Sequence, residues 1–176
     1  MDIQNRLPAS FLMNYRCTLL FLALVLAGCS ASTDAEPTAD LPVLKGCFVT
    51  DTRTINVSLE LVATPQERRK GLMGRESLGA SSGMLFEYQQ SQSPDHGFWM
   101  YQTLIPLDIA YLDEKGSIGS IRQMVPCTSR DGSRCPSYPS GVAFISAVEM
   151  NAGFFEANGI GLGDTLKLEK QDCKPR

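Results

Sequence analysis

The chain has 176 residues, 43% of them hydrophobic and 20% charged, with 16 Lys+Arg against 19 Asp+Glu for a formal net charge of −3. That length fits one domain of roughly 100–200 residues with a tail, the composition excludes a wholly disordered chain, and the slight acidity argues against a nucleic-acid partner. A single histidine excludes every metal site that needs two.

Residues 1–28 read as an export signal. Arg6 and Arg16 supply a positive start, and Thr18 to Leu26 is an apolar run too short for a bilayer, which takes about 20 residues to span. The run ends in Leu26-Ala27-Gly28-Cys29, which resembles the bacterial lipobox. That resemblance implies cleavage before Cys29 and a diacylglycerol on its sulfur. With Ser30 in place of an Asp, it implies an outer-membrane lipoprotein whose domain lies in the periplasm. Met13 is an alternative start, because Met13 to Cys29 alone makes a complete signal. Residues 29–43 are small, polar and punctuated by Pro37 and Pro42, too poor in apolar surface to offset ordering entropy, and read as a flexible tether. Residues 44–176 form the single domain.

Export leaves Cys47, Cys127, Cys135 and Cys173 in an oxidising compartment. Cys127–Cys135 closes a loop rich in turn formers, and Cys47–Cys173 ties the ends of the domain together. These are the expected disulfides among the three pairings that four cysteines allow. The rival is a four-thiolate metal site, disfavoured because no C-x₂₋₄-C knuckle is present.

Within the domain the period is mostly two. Thr54–Val62 puts Ile55, Val57, Leu59 and Leu61 on one face of a strand. Thr64-Pro65-Gln66-Glu67 carries the capping box and N-terminal proline of a helix that runs through Met73. Strands follow at 83–88 and 97–101. Residues 107–113 and 117–124 pair as a hairpin across Glu114-Lys115-Gly116. A long strand spans 141–150, a short helix runs from Asn151 to Asn158 before Gly159, and the last strand is 165–169. Seven short strands and two short helices predict a β-rich α+β fold, a mainly antiparallel sandwich or small barrel.

Several motifs have ordinary readings. Gly79-Ala80-Ser81-Ser82-Gly83 matches G-x-S-x-G, but a helix precedes it and a strand follows, the reverse of a nucleophile elbow. Gly159 to Gly163 leads into a strand and reads as turn chemistry rather than a phosphate cradle. His96 falls in a loop. Met73, Met84, Met100, Met124 and Met150 lack clustered spacing and read as core fillers, with a Cu(I) site as the alternative. Asp108 and Glu149 interrupt apolar strands; facing inward, each would need a partner, and Arg75 is a candidate. Arg75, Trp99, Met100, Thr103, Asp108 and Glu149 are the candidate pocket residues.

Three blocks carry a resemblance: Gly71-Leu72-Met73-Gly74-Arg75 with Gly83-Met84-Leu85-Phe86; Phe98 through Ile109; and Tyr138-Pro139-Ser140-Gly141 with Val148 through Gly153 and on to Gly163-Asp164. Together they resemble domain of unknown function 192, over roughly residues 53–169. The resemblance implies a compact β-rich domain, often exported or lipid-anchored, with no activity and no catalytic residues to carry over. The family's Lys-Asn-Thr-like triplet after Trp-Met is Tyr101-Gln102-Thr103 here, which puts any contact of that Asn in doubt. The functional expectation is a non-enzymatic envelope lipoprotein, with no cofactor, that binds a small molecule or an envelope protein. A carboxylate-dependent enzyme using Asp108 or Glu149 and a soft-metal binder are the alternatives.

Overall fold

The first strand, β1 (Val43–Val49), begins at the last residue assigned to the tether and fills a stretch for which the sequence predicts no strand. Gly46 hides it, because a glycine weakens a strand signal. Its purpose is close approach: a Cβ at Gly46 would lie 2.6 Å from the Lys167 carbonyl oxygen on the neighbouring strand. The structure is a computed structural model and describes residues 40–168 and 173–174. The expected signal, Cys29 and most of the tether lie outside these residues.

After β1 come β2 (Thr54–Val62), α1 (Pro65–Lys70), β3 (Ser82–Gln92), β4 (Gly97–Trp99), β5 (Leu107–Leu112) and β6 (Ile118–Met124). A 3₁₀ turn (Gly132–Arg134) precedes β7 (Ser137–Pro139), β8 (Phe144–Asn151), α2 (Phe154–Ala157) and β9 (Thr165–Leu168). The main sheet has seven strands in the order β6-β5-β8-β3-β2-β1-β9, and β4 and β7 form a separate two-stranded sheet. The main sheet curls into a half-barrel, so the β-rich expectation holds. Its pairs are antiparallel except β2 and β3, which run parallel across the α1 connection.

Local signals act where the sequence places them. Thr64 Oγ1 accepts from the Glu67 N–H at 3.3 Å, and Glu67 Oε2 accepts from the Thr64 N–H at 2.9 Å. These backbone bonds hold the Glu67 carboxyl below its ordinary range. The helix stops three residues earlier than predicted, because Gly71 turns away at φ +46°. The β5–β6 hairpin is tied by Asp113 Oδ1, which accepts from Lys115 and Ser117 N–H at 2.8 and 2.9 Å. The last helix is shorter than expected: Asn151 stays in β8 and donates its side-chain amide to the Leu78 and Gly79 carbonyls. Gly79 to Gly83 is a turn entering β3, as expected. Both disulfides form as predicted, with Cα separations of 6.1 Å for Cys47–Cys173 and 5.8 Å for Cys127–Cys135.

Strand alternation separates two buried clusters on the two faces of the main sheet. One holds Phe48, Val57, Leu59, Ala110, Val148, Met150 and the α2 residues Phe154 and Phe155. The other holds Met84, Phe86, Phe98, Met100, Ile109, Tyr111, Met124 and Phe144. Met84, Met100, Met124 and Met150 are all fully buried but divided between the two clusters, consistent with core filling.

Candidate functional site

Aromatic residues of the second cluster reach the surface beside α1. Phe144 is the hub: Tyr111, Tyr88 and His96 pack on it with ring centroids at 5.0, 5.6 and 5.6 Å. Phe98 meets Phe86 edge-to-face at 4.9 Å. The Tyr111 hydroxyl donates to the Tyr138 carbonyl at 2.6 Å, fixing β7 over the hub. Tyr88, His96 and Phe98 line an open groove of about 670 Å³, with Phe144 packed behind them. Its walls are α1 with the residue before its cap (Ala63, Pro65, Arg68, Arg69), the outer half of β3 (Tyr88, Gln89, Gln90, Gln92) and β4 with His96 before it. That volume lies in the usual range of small-molecule sites, about 300–1,000 Å³.

Two cations line the groove without a described carboxylate partner. The described ion pairs are Arg75–Glu60 and Arg134–Asp131, so neither Arg68 nor Arg69 has a carboxylate partner among the described residues. Arg68 is held in place: its guanidinium lies 4.5 Å from the Tyr88 ring centroid, and its Nη1 donates to the Glu87 carbonyl at 2.9 Å and to the Ala63 carbonyl. Arg69 is exposed. His96 Nε2 lies 3.3 Å from the Tyr88 hydroxyl. Burial, and then the nearby Arg68 charge, lower the His96 pKa from its ordinary value of 6.5, so the ring is neutral at neutral pH. His96 therefore lies in a loop, as the sequence suggests, but is a half-buried polar member of an aromatic cluster.

Trp99, the only tryptophan, is 45% exposed at the groove's edge. It is braced from behind. Tyr101 packs on it at 5.3 Å, and the backbone of the Cys127–Cys135 loop presses so close that a Cβ at Gly132 would lie 2.9 Å from its Cζ3. The short disulfide thus holds a platform residue, which gives that loop a role in the site's geometry.

The other five sequence candidates do not join Trp99. Met100 points the opposite way and is fully buried. Thr103 is buried in the turn after it, its N–H bonded to the Met100 carbonyl at 3.0 Å. Arg75 partners neither Asp108 nor Glu149; its Nη1 meets Glu60 Oε1 at 2.6 Å. The Asp108 Oδ2 accepts from the Gly153 N–H at 2.8 Å on the α2 face. Glu149 is buried on the other face, and desolvation pushes its pKa up to about 8. Gln102 is the one described non-glycine residue at positive φ, +53°, a conformation that Asn tolerates better than Gln. Its N–H donates to the Cys127 carbonyl and its carbonyl accepts from Gly74 N–H, so the position is a backbone turn.

Sequence reasoning missed Arg68, Tyr88 and His96. One signal was available: no Asp or Glu lies three or four positions from Arg68 or Arg69 on the helix. Among the described residues no three His, Cys, Asp or Glu side chains converge as metal ligands, and no helix is long and apolar enough to cross a membrane.

The model of the uncharacterized family DUF192 matches residues 48–168. Two crystal structures are similar. One is a candidate transcription regulator from Sinorhizobium meliloti 1021, 26% identical, with TM-score 0.67, covering 75% of this chain and 98% of that one. The other is a protein of unknown function from Novosphingobium aromaticivorans DSM 12444, 27% identical, with TM-score 0.64, covering 74% and 89%. No curated protein matches.

Proposed function

The chain belongs to the DUF192 family, and from that premise we propose that it is a non-enzymatic, lipid-anchored binding module of the bacterial envelope whose α1–β3–β4 groove takes a small molecule. The groove carries this reading. It combines an exposed indole on a braced strand, two guanidiniums without a described carboxylate partner and a neutral imidazole beside the Tyr88 and Phe98 rings. The Tyr88 hydroxyl and the His96 imidazole lie within hydrogen-bond reach of one another in the same groove, and we read them as ligand-contacting groups of mixed donor and acceptor character. Leu26-Ala27-Gly28-Cys29 supports the anchor, with acylated Cys29 in the outer membrane and the domain in the periplasm.

The test is the native mass of the full chain taken from envelopes in mild detergent. The expected result is a diacylglyceryl-modified Cys29 plus a further non-covalent mass that Trp99→Ala loses. Cys29→Ser should release the chain from the membrane fraction. A bare polypeptide mass in wild type would overturn the small-molecule reading, and a membrane-bound Cys29→Ser chain would overturn the anchor.

A further inference from the structure

The groove's donors and acceptors specify what it would hold. Resting on the groove as a ligand site, we infer that its ligand is a sugar ring bearing a carboxylate, a uronic acid unit. Three observations converge. The first is the platform: Trp99 presents an open aromatic surface, which suits the C–H face of a pyranose as well as a flat ring.

The second is charge. The lining contains Arg68 and Arg69 and no Asp or Glu. A guanidinium matches a carboxylate with two parallel N–H donors. Arg68 is already oriented by two backbone carbonyls through Nη1, and no described residue accepts from its Nε or Nη2. Phosphate is the competing anion. Phosphate cradles use backbone N–H groups at glycine-rich turns or helix starts. Here the α1 start is already capped, with the Glu67 N–H donating to the Thr64 side chain, and the helix has only six residues.

The third is hydroxyl chemistry. A sugar needs donors and acceptors side by side, and side-chain amides offer both. Gln89, Gln90 and Gln92 sit together on the outer half of β3, and Gln92 uses only its amide nitrogen, donating to the Gln90 carbonyl at 2.7 Å. The Tyr88 hydroxyl and neutral His96 add two more groups of mixed character. An aromatic acid without hydroxyls would leave these groups unused.

The single tryptophan makes the test direct, because all indole emission comes from the groove. The full chain in detergent is titrated with D-galacturonate, its trimer, D-galactose, cyclohexanecarboxylate and uridine monophosphate. The expected result is a saturable change in Trp99 emission with the uronates, with galactose and cyclohexanecarboxylate at least tenfold weaker. Arg69→Gln, an exposed change with unchanged melting, should weaken the uronates five- to tenfold and leave galactose as it was. A tighter trimer identifies a polysaccharide source, and an equal monomer a free sugar. Galactose, cyclohexanecarboxylate or the nucleotide binding as tightly as the uronates overturns the inference, as does silence from every probe. Silence together with an extra native mass leaves the binding module standing and removes only the uronate; silence with a bare mass removes both.

Discussion

Asp108 and Glu149 sit one register step apart on neighbouring strands, since Asp108 faces Met150 and Ile109 faces Glu149 across the β5–β8 ladder. Both are buried carboxyls, 5% and 4% exposed. Because side chains alternate, that single step sends them to opposite faces of the sheet. On the α2 face Asp108 finds the Gly153 N–H, where the chain turns into the helix at φ +80°. Burial raises its pKa, and the Gly153, Gln123 and Phe155 bonds pull it back. On the aromatic face no described residue hydrogen-bonds the Glu149 carboxyl, and desolvation is the one cause of its shift. Its electrostatic neighbours are Tyr88 and Tyr111, whose pKa values are raised by burial first and Glu149 second among the raising causes. The same residue chemistry therefore serves as a structural acceptor on one face and as a stored cost on the other.

The largest expected effect follows from Glu149. Its folded pKa, about 8, exceeds the ordinary value of 4.5, so between those two the folded state holds a proton that the unfolded state has lost. Stability is then full below about pH 4.5 and falls as pH rises through 8. At about 1.4 kcal/mol per decade of proton affinity the loss is on the order of 4–5 kcal/mol. Denaturant unfolding followed by Trp99 emission at several pH values should show this decline. Glu149→Gln should remove most of the slope, leaving the smaller decline from Asp108, whose pKa is also raised. Parallel curves for the two proteins would mean that the folded carboxyl is solvated, and the contrast between the faces would collapse.

Truncation on each face sharpens the contrast, with effects of opposite sign. Asp108→Ala strips the acceptor from a buried N–H and should destabilise by about 1–3 kcal/mol. Asp108→Asn keeps an oxygen there and should cost less. Glu149→Met places an apolar side chain between Met84 and Ile109, its cross-strand neighbours, and should be neutral or stabilising at pH 7. A comparable loss at both sites would show that Glu149, too, serves a partner.

Strand periodicity made both carboxyls legible as interruptions of apolar strands, and local chemistry made the capping box, the β5–β6 turn and both disulfides legible as well. Their faces and partners were not, because these depend on register against a strand about forty residues away and on the Gly153 turn. The same limit applies to the groove. Trp99 stood out by type, but Arg68, Tyr88 and His96 meet through side-chain contacts across α1, β3 and the loop before β4, which no local pattern announces. β1 and β7 escaped for local reasons: an internal Gly46 in one, three residues ending in Pro139 in the other.

Glu60 completes the series as a carboxyl that has a charged partner and access to water. Its ion pair with Arg75 is the one the sequence reading offered to Asp108 or Glu149, and its side chains are 35% (Arg75) and 24% (Glu60) exposed. Water screens such a pair and the two side chains lose rotamer freedom to form it, so Arg75→Ala should cost less than about 1 kcal/mol. Added salt should shrink that difference further, whereas the Glu149 slope should survive it, because a buried group is screened far less. A loss above about 2 kcal/mol for Arg75→Ala would show the pair behaving as a buried one. Exposure, rather than face or partner, would then be the wrong variable by which to rank the three carboxyls.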